Sequence, residues 1–528
     1  MTRGEPWLQI EYTRRARHRS RRRERRRRRS FSILIARPLT TLWLIHLVSS
    51  RRRPSSVAAL PDAFAMLDHG TLLVRGAADA ADDPTRSVIQ PIYPSTTYAR
   101  DDAHELPRFR DRTLCYARPD NPSVRACERT LRDLERGSDC ALFSSGMAAV
   151  NAVLEGAVRG TSDASSFACS PSRGYFAVRA RIREWCAARG VEVVEYDPDV
   201  PYVICDVDGH TLARRDEDAK GTAHHAGRSL KRALEEEAAR GRKAALVWVE
   251  SPANPTWDVM DLEQVVAVAR ACDAGCVCVD STVLTPICTK PLSFGVDVVM
   301  HSATKYLNGH GDVVAGALVT RECDDRWQRI LHERKLGGAT MGSMDAYLLS
   351  RGMRTLELRV RRQSESAMWI AHEFEQYLRS RIPHGAIVLY PGLQTDTTVE
   401  SKNAHYDIVN RMCPNGVYGG MLSLVFFDFL PHLYPEHTGS NLSRVVKFCK
   451  TMAVSCDYWT CATSLGGFES LIEHRYSVEC APGEKEPHVP GGLLRLSVGL
   501  ETKEDLLAGL KRGFDIALMD VVGASVAT

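Results

Sequence analysis

The chain has 528 residues, of which 44% are hydrophobic and 25% are charged, a balance typical of a globular protein with an ample core. Its length exceeds what one hydrophobic core usually fills, so we expect more than one domain. The net charge of +4 is unevenly spread, because residues 1–53 carry +14 and the remainder carries −10. The mildly acidic remainder gives no reason to expect nucleic-acid binding by the body of the protein.

Residues 1–69 are interpreted as a basic presequence or a disordered tail. Arginines dominate 14–29, and a short apolar stretch follows at 39–48. That stretch is shorter than the roughly 20 residues that span a bilayer, so we predict no transmembrane segment. A basic run before a short apolar one is also similar to a targeting signal. The location therefore stays open between the cytoplasm and, if this segment is a targeting presequence, a plastid or another organelle.

Sixteen cysteines invite a disulfide or metal interpretation, but their placement does not support one. No CxxC pair occurs, and Cys276 and Cys278 alternate in an apolar run of strand length. Buried free cysteine behaves as a small hydrophobic residue, so we expect reduced thiols and no metal site.

Apolar runs and helical spacing alternate through the middle of the chain. Runs of strand length cover 141–143, 244–249 and 276–279, and 262–272 has helical spacing. The alternation of strand and helix predicts parallel strands joined by right-handed crossovers, and therefore an α/β fold.

The second half of the chain is expected to leave that sheet. A helix is predicted from about Asp345 through Tyr377, and the strand-like run 421–427 begins an antiparallel layer. The charged stretch 197–227 is longer than an ordinary connection, and 394–418 lacks clear periodicity. Both stretches are interpreted as surface elaborations.

The run Ser144-Ser145-Gly146 ends the first predicted strand, and a helix is predicted to begin near Met147. Gly146 allows close backbone approach, and free N–H groups at a helix start favour a phosphate. We predict that Ser145, Gly146 and Met147 cradle a phosphate group.

Lys305 follows the buried run 296–300, with Ser302 and Thr304 just before it. A lysine at a strand end can hold an aldehyde cofactor as a Schiff base, and the two hydroxyls can grip its phosphate. Asp280 ends another predicted strand, where its carboxylate can pair with the protonated ring nitrogen of such a cofactor. These features together predict a pyridoxal 5'-phosphate site.

Motifs in one order along the chain strengthen this prediction. They are Tyr116 to Pro122, Ser144 to Met147, Glu250 to Thr256, Asp280 to Thr282, His301 to His310, Arg351 to Leu356, Ser464 to Leu471 and Leu494 to Gly499. Over about 70–515 the chain resembles the Cys/Met-metabolism family of pyridoxal phosphate enzymes, the trans-sulfuration group of cystathionine γ-synthase, γ-lyase and β-lyase.

The resemblance implies a role for each matching residue. Lys305 resembles the Schiff-base lysine and Asp280 the ring-nitrogen partner. Arg495 resembles the clamp for the substrate carboxylate, a task that suits the planar guanidinium fork. Further cofactor contacts are implied for Asn254, Thr282, Ser302, Thr304 and for Tyr175, which we align with the ring-stacking residue and expect to assist as a base. Tyr116 and Arg118 resemble the pair that reaches the phosphate of a neighbouring subunit, and Ser464 and Thr463 are expected to contact substrate.

The implied fold is that of type I PLP-dependent transferases, similar to aspartate aminotransferase. We expect a large domain with a mainly parallel sheet and a smaller α+β C-terminal domain. The predicted divisions are a presequence at 1–69, an N-terminal arm at 70–130, the large PLP-binding domain at 131–362 and the small domain at 363–520. The chain is expected to form a homodimer or homotetramer with shared active sites.

The implied activity is that of a cystathionine γ-synthase, which joins an activated homoserine ester and cysteine. The Ser464 to Gly467 turn favours cystathionine chemistry, but Thr463 stands where many γ-acting members carry glutamate. Cystathionine γ-lyase or β-lyase action therefore stays open. An alternative of another class is a basic RNA- or membrane-associated protein with an inactive enzyme body, although the set Lys305, Asp280, Arg118 and Arg495 counts against it.

Overall fold

The computed structural model describes residues 68–75, 87–99, 114–158, 165–197, 204–205, 211–212, 229–383, 385–393, 400–429, 442–479 and 489–526. The predicted presequence up to residue 67 and most of the stretch 197–227 lie outside the described residues. Among the helices that the structure describes, none combines the length and apolar character needed to cross a membrane.

The strands form two main sheets and one small hairpin. They are β1 (Asp139–Phe143), β2 (Ser166–Pro171), β3 (Glu192–Tyr196), β4 (Ile204–Cys205), β5 (Thr211–Leu212), β6 (Lys243–Glu250), β7 (Val277–Asp280), β8 (Val298–His301), β9 (Gly316–Thr320), β10 (Ala386–Leu389), β11 (Met421–Phe426), β12 (Thr460–Cys461), β13 (Leu471–His474) and β14 (Leu493–Ser497).

The helices cover the sheets and connect their strands. They are α1 (His69–Arg75), α2 (Pro122–Glu135), α3 (Gly146–Val158), α4 (Phe176–Ala187), α5 (Leu230–Ala239), α6 (Leu262–Ala271), α7 (Thr285–Cys288), α8 (Asp325–Gly337), α9 (Ser343–Met353), α10 (Leu356–Arg381), α11 (Glu400–Met412), α12 (Leu442–Ser455), α13 (Arg475–Glu479) and α14 (Lys503–Val526).

The larger sheet has seven strands in the order β1-β9-β8-β7-β6-β2-β3. Only β9 runs against the others, since it pairs antiparallel with both β1 and β8 while the remaining pairs are parallel. Strand β6 is buried from Ala244 through Glu250, as expected of a central strand covered on both faces. The predicted mainly parallel α/β sheet is confirmed. The carboxyl ends of its six co-directional strands lie at one edge, where such sheets bind ligands.

The smaller sheet has five strands in the order β10-β11-β14-β13-β12, and all its pairs except β12 with β13 are antiparallel. Helices α12 and α14 pack together beside it, with the rings of Phe448 and Phe514 5.6 Å apart and those of Phe426 and Phe448 4.9 Å apart. The predicted antiparallel layer is therefore present. It contacts the turn that follows β6 of the larger sheet, where Trp257 Nε1 donates to Ser423 Oγ over 2.8 Å.

The helix predicted from Asp345 through Tyr377 is instead two helices, α9 and α10, separated at Arg354 and Thr355. The guanidinium of Arg359 stabilises the chain at this break, because it donates to the carbonyl of Gly352 over 2.9 Å and to Thr355 Oγ1 over 3.1 Å. The Gly352 carbonyl at the end of α9 thus accepts from this buried side chain and, over 3.3 Å, from the backbone N–H of Thr355.

The stretch 394–418 contains helix α11, which the sequence did not predict. Val409 and Met412 are buried in its second half, and the buried Cys413 follows directly after it. That pattern is too short to stand out in the sequence. The domain divisions at 69, 130 and 362 stay predictions, and α10 passes residue 362 without a break.

Candidate active site

Lys305 lies just beyond the carboxyl end of β8, at the ligand-binding edge of the larger sheet. Its Nζ donates to Ser464 Oγ over 3.0 Å. Burial, aided by the guanidinium of Arg495, lowers the pKa of Lys305 to about 8. A larger fraction of this amine is therefore neutral and nucleophilic near pH 7 than for an ordinary lysine.

Asp280 ends the neighbouring strand β7 and is buried. Its Oδ1 accepts hydrogen bonds from both the backbone N–H and the hydroxyl of Thr282, and burial raises the pKa of this carboxyl group. A carboxylate can accept further bonds at its second oxygen, Oδ2. Thr282 in turn accepts from the backbone N–H of Ser302 over 2.8 Å. Thr282 thus ties the predicted ring-nitrogen partner to the segment that carries Lys305.

The predicted phosphate seat forms where β1 passes into α3. The Ser145 hydroxyl accepts from the N–H of Ala148 over 3.1 Å and so caps the helix. A Cβ at Gly146 would lie 3.2 Å from Ser302 Oγ, so the absence of a side chain keeps this approach open. Met147 follows in the first turn. The Thr304 hydroxyl donates to the Ala315 carbonyl over 3.1 Å and accepts from the Ala315 N–H over 2.9 Å, and its contact with the phosphate stays a prediction.

Arg495 lies on β14, is only 4% exposed and reaches from the smaller sheet to the larger one. Its Nη1 donates to Asn254 Oδ1 over 3.3 Å, and its Nη2 donates to the Ser464 carbonyl over 2.9 Å and to Glu473 Oε2 over 2.6 Å. Burial, followed by the repulsion of Arg475, lowers the pKa of Arg495 to about 10, which leaves it positive at neutral pH.

Glu473 is a site residue that the sequence reasoning missed. It lies opposite Arg495 on β13 and also accepts from Arg475 Nη1 over 2.6 Å. Burial opposes ionisation, but the contacts with Arg495, Thr463 and Arg475 prevail and lower the pKa of Glu473. The sequence does contain one signal for this residue, since Glu473 is a charged residue within the apolar strand segment that ends at His474. Buried charges are rare unless they are paired, so such a residue indicates a buried partner.

Thr463 and Ser464 belong to the turn that follows β12. The Thr463 hydroxyl donates a hydrogen bond to the Glu473 carboxylate. Glu473 in turn accepts from Arg495, so among the described contacts Thr463 is linked to Arg495 through Glu473. Ser464 has a φ of 141°, which is unusual for a residue with a side chain. Gln363 of helix α10 stabilises this turn, because its Nε2 donates to the Gly467 carbonyl over 2.6 Å.

Tyr175 is the N-cap residue of α4, is 37% exposed and lies beyond the carboxyl end of β2. Its backbone N–H donates to Glu250 Oε2 over 2.7 Å.

Asn254 is buried in the turn after β6, and its side-chain oxygen accepts a hydrogen bond from Arg495. Glu250 begins one of the motifs found in the sequence but has no predicted role.

Tyr116 and Arg118 are both exposed, with the Arg118 guanidinium 5.6 Å from the centre of the Tyr116 ring. The backbone of Tyr116 forms a β-bridge with Thr97. Their role toward a second subunit stays a prediction.

The residues at this edge fit pyridoxal 5'-phosphate. The fit rests on an amine of lowered pKa, a buried carboxylate with accepting capacity for a ring N–H, and a helix start where Gly146 leaves room beside the Ser302 hydroxyl. Anionic phosphate is favoured at such a helix start by the free N–H groups and the helix dipole. Lys305, Asp280 and Gly146 would hold the aldehyde carbon, the ring nitrogen and the phosphate respectively.

Comparison with known proteins identifies the class of enzyme. The model of the family described as "Cys/Met metabolism PLP-dependent enzyme" matches residues 70–201 and 222–515. The chain therefore belongs to this family and is a PLP-dependent enzyme. The break between the two matched ranges falls inside the charged stretch 197–227.

Individual relatives carry different activities. An L-methionine gamma-lyase of Treponema denticola is 30% identical over 433 residues, which cover 80% of this chain and 92% of that protein. A cystathionine beta-lyase of Lactococcus lactis is 32% identical over 442 residues, covering 83% and 96%. The crystal structure of cystathionine gamma synthase from Xanthomonas oryzae in complex with aminoacrylate and cysteine superposes with a TM-score of 0.65 at 28% identity, covering 86% and 99%. The predicted trans-sulfuration family and fold are confirmed.

Capture of the cofactor by the apoprotein is expected to depend on pH through Lys305. The neutral amine is the reactive form, so below the pKa the rate should rise about tenfold per pH unit and level off above about 8. Stopped-flow absorbance after mixing apoprotein with pyridoxal 5'-phosphate measures this rate, with Lys305→Ala as the blank. A rate still rising tenfold per unit between pH 9 and about 10 would show an unperturbed lysine.

Proposed function

We propose that the protein is a cystathionine γ-synthase-like enzyme that joins an activated homoserine ester and cysteine to form cystathionine. The observation that carries the proposal is the chain of contacts from Lys305 through Ser464 to Arg495, which sets a base beside a carboxylate clamp. The Ser464 to Gly467 turn that makes this link is the motif that favoured cystathionine chemistry in the sequence. The solved cystathionine gamma synthase of Xanthomonas oryzae supports the assignment.

In this proposal each residue of the site acts on a particular part of the bound amino acid or of the cofactor. Bound pyridoxal 5'-phosphate supplies an electron sink that makes the Cα proton of a bound amino acid acidic. Arg495 holds the substrate carboxylate by its guanidinium fork, while Glu473 and Asn254 orient that fork. Lys305 Nζ removes the Cα proton and returns protons to neighbouring carbons, and Asp280 keeps the ring nitrogen protonated.

A lyase is the second candidate function, since the methionine gamma-lyase of Treponema denticola and the cystathionine beta-lyase of Lactococcus lactis match 80% or more of the chain at 30% and 32% identity. Thr463 keeps this alternative open because it stands where, by the family resemblance, many γ-acting members carry glutamate. A neutral side chain there discriminates less by charge between substrates with different distal groups.

The reaction type is tested by measuring kcat/KM for each reaction separately at the same enzyme concentration. We expect cystathionine formation from cysteine and at least one homoserine ester to exceed cleavage of cystathionine or methionine by about tenfold or more in kcat/KM. Chromatography of the amino-acid products and detection of released 2-oxoacid measure the two directions. Faster cleavage of cystathionine than formation from every ester tried would contradict the synthase proposal and leave the lyase.

We further propose that active sites are shared between subunits of a homodimer, which pairs again into a tetramer. The exposure of Tyr116 and Arg118 and the predicted reach of this pair to a neighbour's phosphate support the proposal. Equal mixtures of inactive Lys305→Ala and inactive Arg118→Ala subunits should then recover about a quarter of wild-type activity, because half the dimers are hybrids with one intact site. No recovery, once native mass spectrometry has shown subunit exchange, would contradict shared sites.

A further inference from the structure

Glu250 joins two segments that face the active site. It ends β6, is buried, and each of its carboxylate oxygens receives one backbone N–H. Oε2 accepts from Tyr175 over 2.7 Å, and Oε1 accepts from Asn254 over 2.8 Å. Tyr175 lies far upstream in the sequence, so a single side chain fixes the backbone at two residues that come from different loops.

The chain passes so closely over this carboxylate that only glycine fits before Tyr175. Gly174 has a φ of +128°, and a Cβ at this position would lie 2.6 Å from Glu250 Oε2. A side chain at this position would therefore strain the backbone and displace the loop from the Glu250 carboxylate. Gly174 is thus a second feature of this loop, besides the N–H group of Tyr175, that brings the chain close to the Glu250 carboxylate.

The position of Glu250 is electrostatically demanding. It pairs in register with Asp280 of the adjacent strand, and burial together with that carboxyl group raises the pKa of Glu250. Arg179, buried one turn into α4, supplies an attractive charge to Glu250. The N–H groups of Tyr175 and Asn254 oppose this rise in pKa, so these two backbone contacts stabilise the ionised carboxylate at an otherwise unfavourable place.

We infer that Glu250 is a positioning residue, whose carboxylate sets Tyr175 against the cofactor ring and Asn254 against Arg495. The inference rests on the proposed function for the identity of those targets. Glu250 acts through the backbones of the two residues and, through Asn254 Oδ1, on the orientation of the Arg495 fork. Its loss should therefore disturb both the ring environment and substrate binding.

The direct test is amide hydrogen exchange, followed by mass spectrometry, on full-length wild type and variants. In Glu250→Ala both segments, around Tyr175 and around Asn254, should exchange about 10- to 100-fold faster, because each loses a buried acceptor. Glu250→Gln retains one acceptor oxygen, so faster exchange is expected mainly in one segment. Gly174→Ala keeps the carboxylate but displaces the loop, so the Tyr175 segment alone should respond.

The matched control is Glu237→Gln, which alters another buried carboxylate, one bonded to Arg240 and Arg242 near the opposite end of β6. That variant should leave exchange at both segments unchanged. With cofactor bound, Glu250→Gln should change the visible circular dichroism and lower kcat by about 10- to 100-fold, whereas Glu237→Gln should change neither.

Unchanged exchange at Tyr175 and Asn254 in both Glu250 variants would overturn the inference. Unchanged circular dichroism and kcat in Glu250→Gln, despite altered exchange, would also overturn it by reducing Glu250 to a structural role. These outcomes are separate from the proposed function, since exchange is read without substrate. If Glu250→Ala does not fold, Gly174→Ala and Glu250→Gln still decide the question.

Discussion

Lys305→Ala is expected to lower kcat/KM by about 10,000-fold or more and to abolish the visible absorption of lysine-bound cofactor. Proton transfer by a positioned side chain alone contributes up to about 10⁴ in rate, and the variant also loses the amine that binds the aldehyde. Steady-state kinetics and absorption spectra of the purified variant measure the two effects. The side chain removed makes one described hydrogen bond, to Ser464, so the fold should persist.

The chain offers a matched control in Lys290. This lysine is also largely buried, and burial lowers its pKa to about 8, but its Nζ contacts His69 and the Pro286 carbonyl. Lys290→Ala should retain the visible absorption and at least about a tenth of the activity. Loss of the visible band in Lys290→Ala with its retention in Lys305→Ala would reverse the assignment.

Arg495→Ala is expected to lower kcat/KM by about 30- to 1,000-fold, mainly through a higher KM. The loss corresponds to about 2–4 kcal/mol for charge-assisted hydrogen bonds to the substrate carboxylate. Initial rates over a wide range of amino-acid concentration separate KM from kcat. Cofactor absorption should be retained, because the contacts of Arg495 are with Asn254, Ser464 and Glu473.

Arg495→Lys is the control for the positive charge that stabilises the buried Glu473 carboxylate. It keeps a cation beside that buried carboxylate but lacks the fork, so we expect near-normal thermal stability and a fall in kcat/KM of about 10- to 100-fold. Wild-type KM in Arg495→Lys and Arg495→Ala together would contradict a carboxylate clamp at this position.

The strand ends of the larger sheet were predictable because they depend on local sequence. Each apolar run was followed at once by the polar residue that the site uses, as in Val279 before Asp280 or Val249 before Glu250. Since all these strands run in one direction, their ends had to meet at one edge. The elements at that edge, from Ser145 to Lys305, therefore needed no knowledge of distant contacts.

Features missed by the sequence depend on contacts between distant segments. The role of Glu473, for example, depends on its register opposite Arg495 of another strand. The bond from the Thr463 hydroxyl to Glu473 was likewise not predicted, while the contact of Thr463 with substrate stays a prediction. Periodicity and local motifs carry no information on such pairings.

The assignment of Lys305 as the cofactor lysine is tested most directly by borohydride reduction of the full-length protein with bound pyridoxal 5'-phosphate, followed by proteolysis and mass spectrometry. Reduction fixes the cofactor permanently to the amine that holds it. We expect the added mass on the peptide containing Lys305, with Lys290 unmodified. A label on Lys290 or on any other lysine, with Lys305 unmodified, would contradict the active site described above.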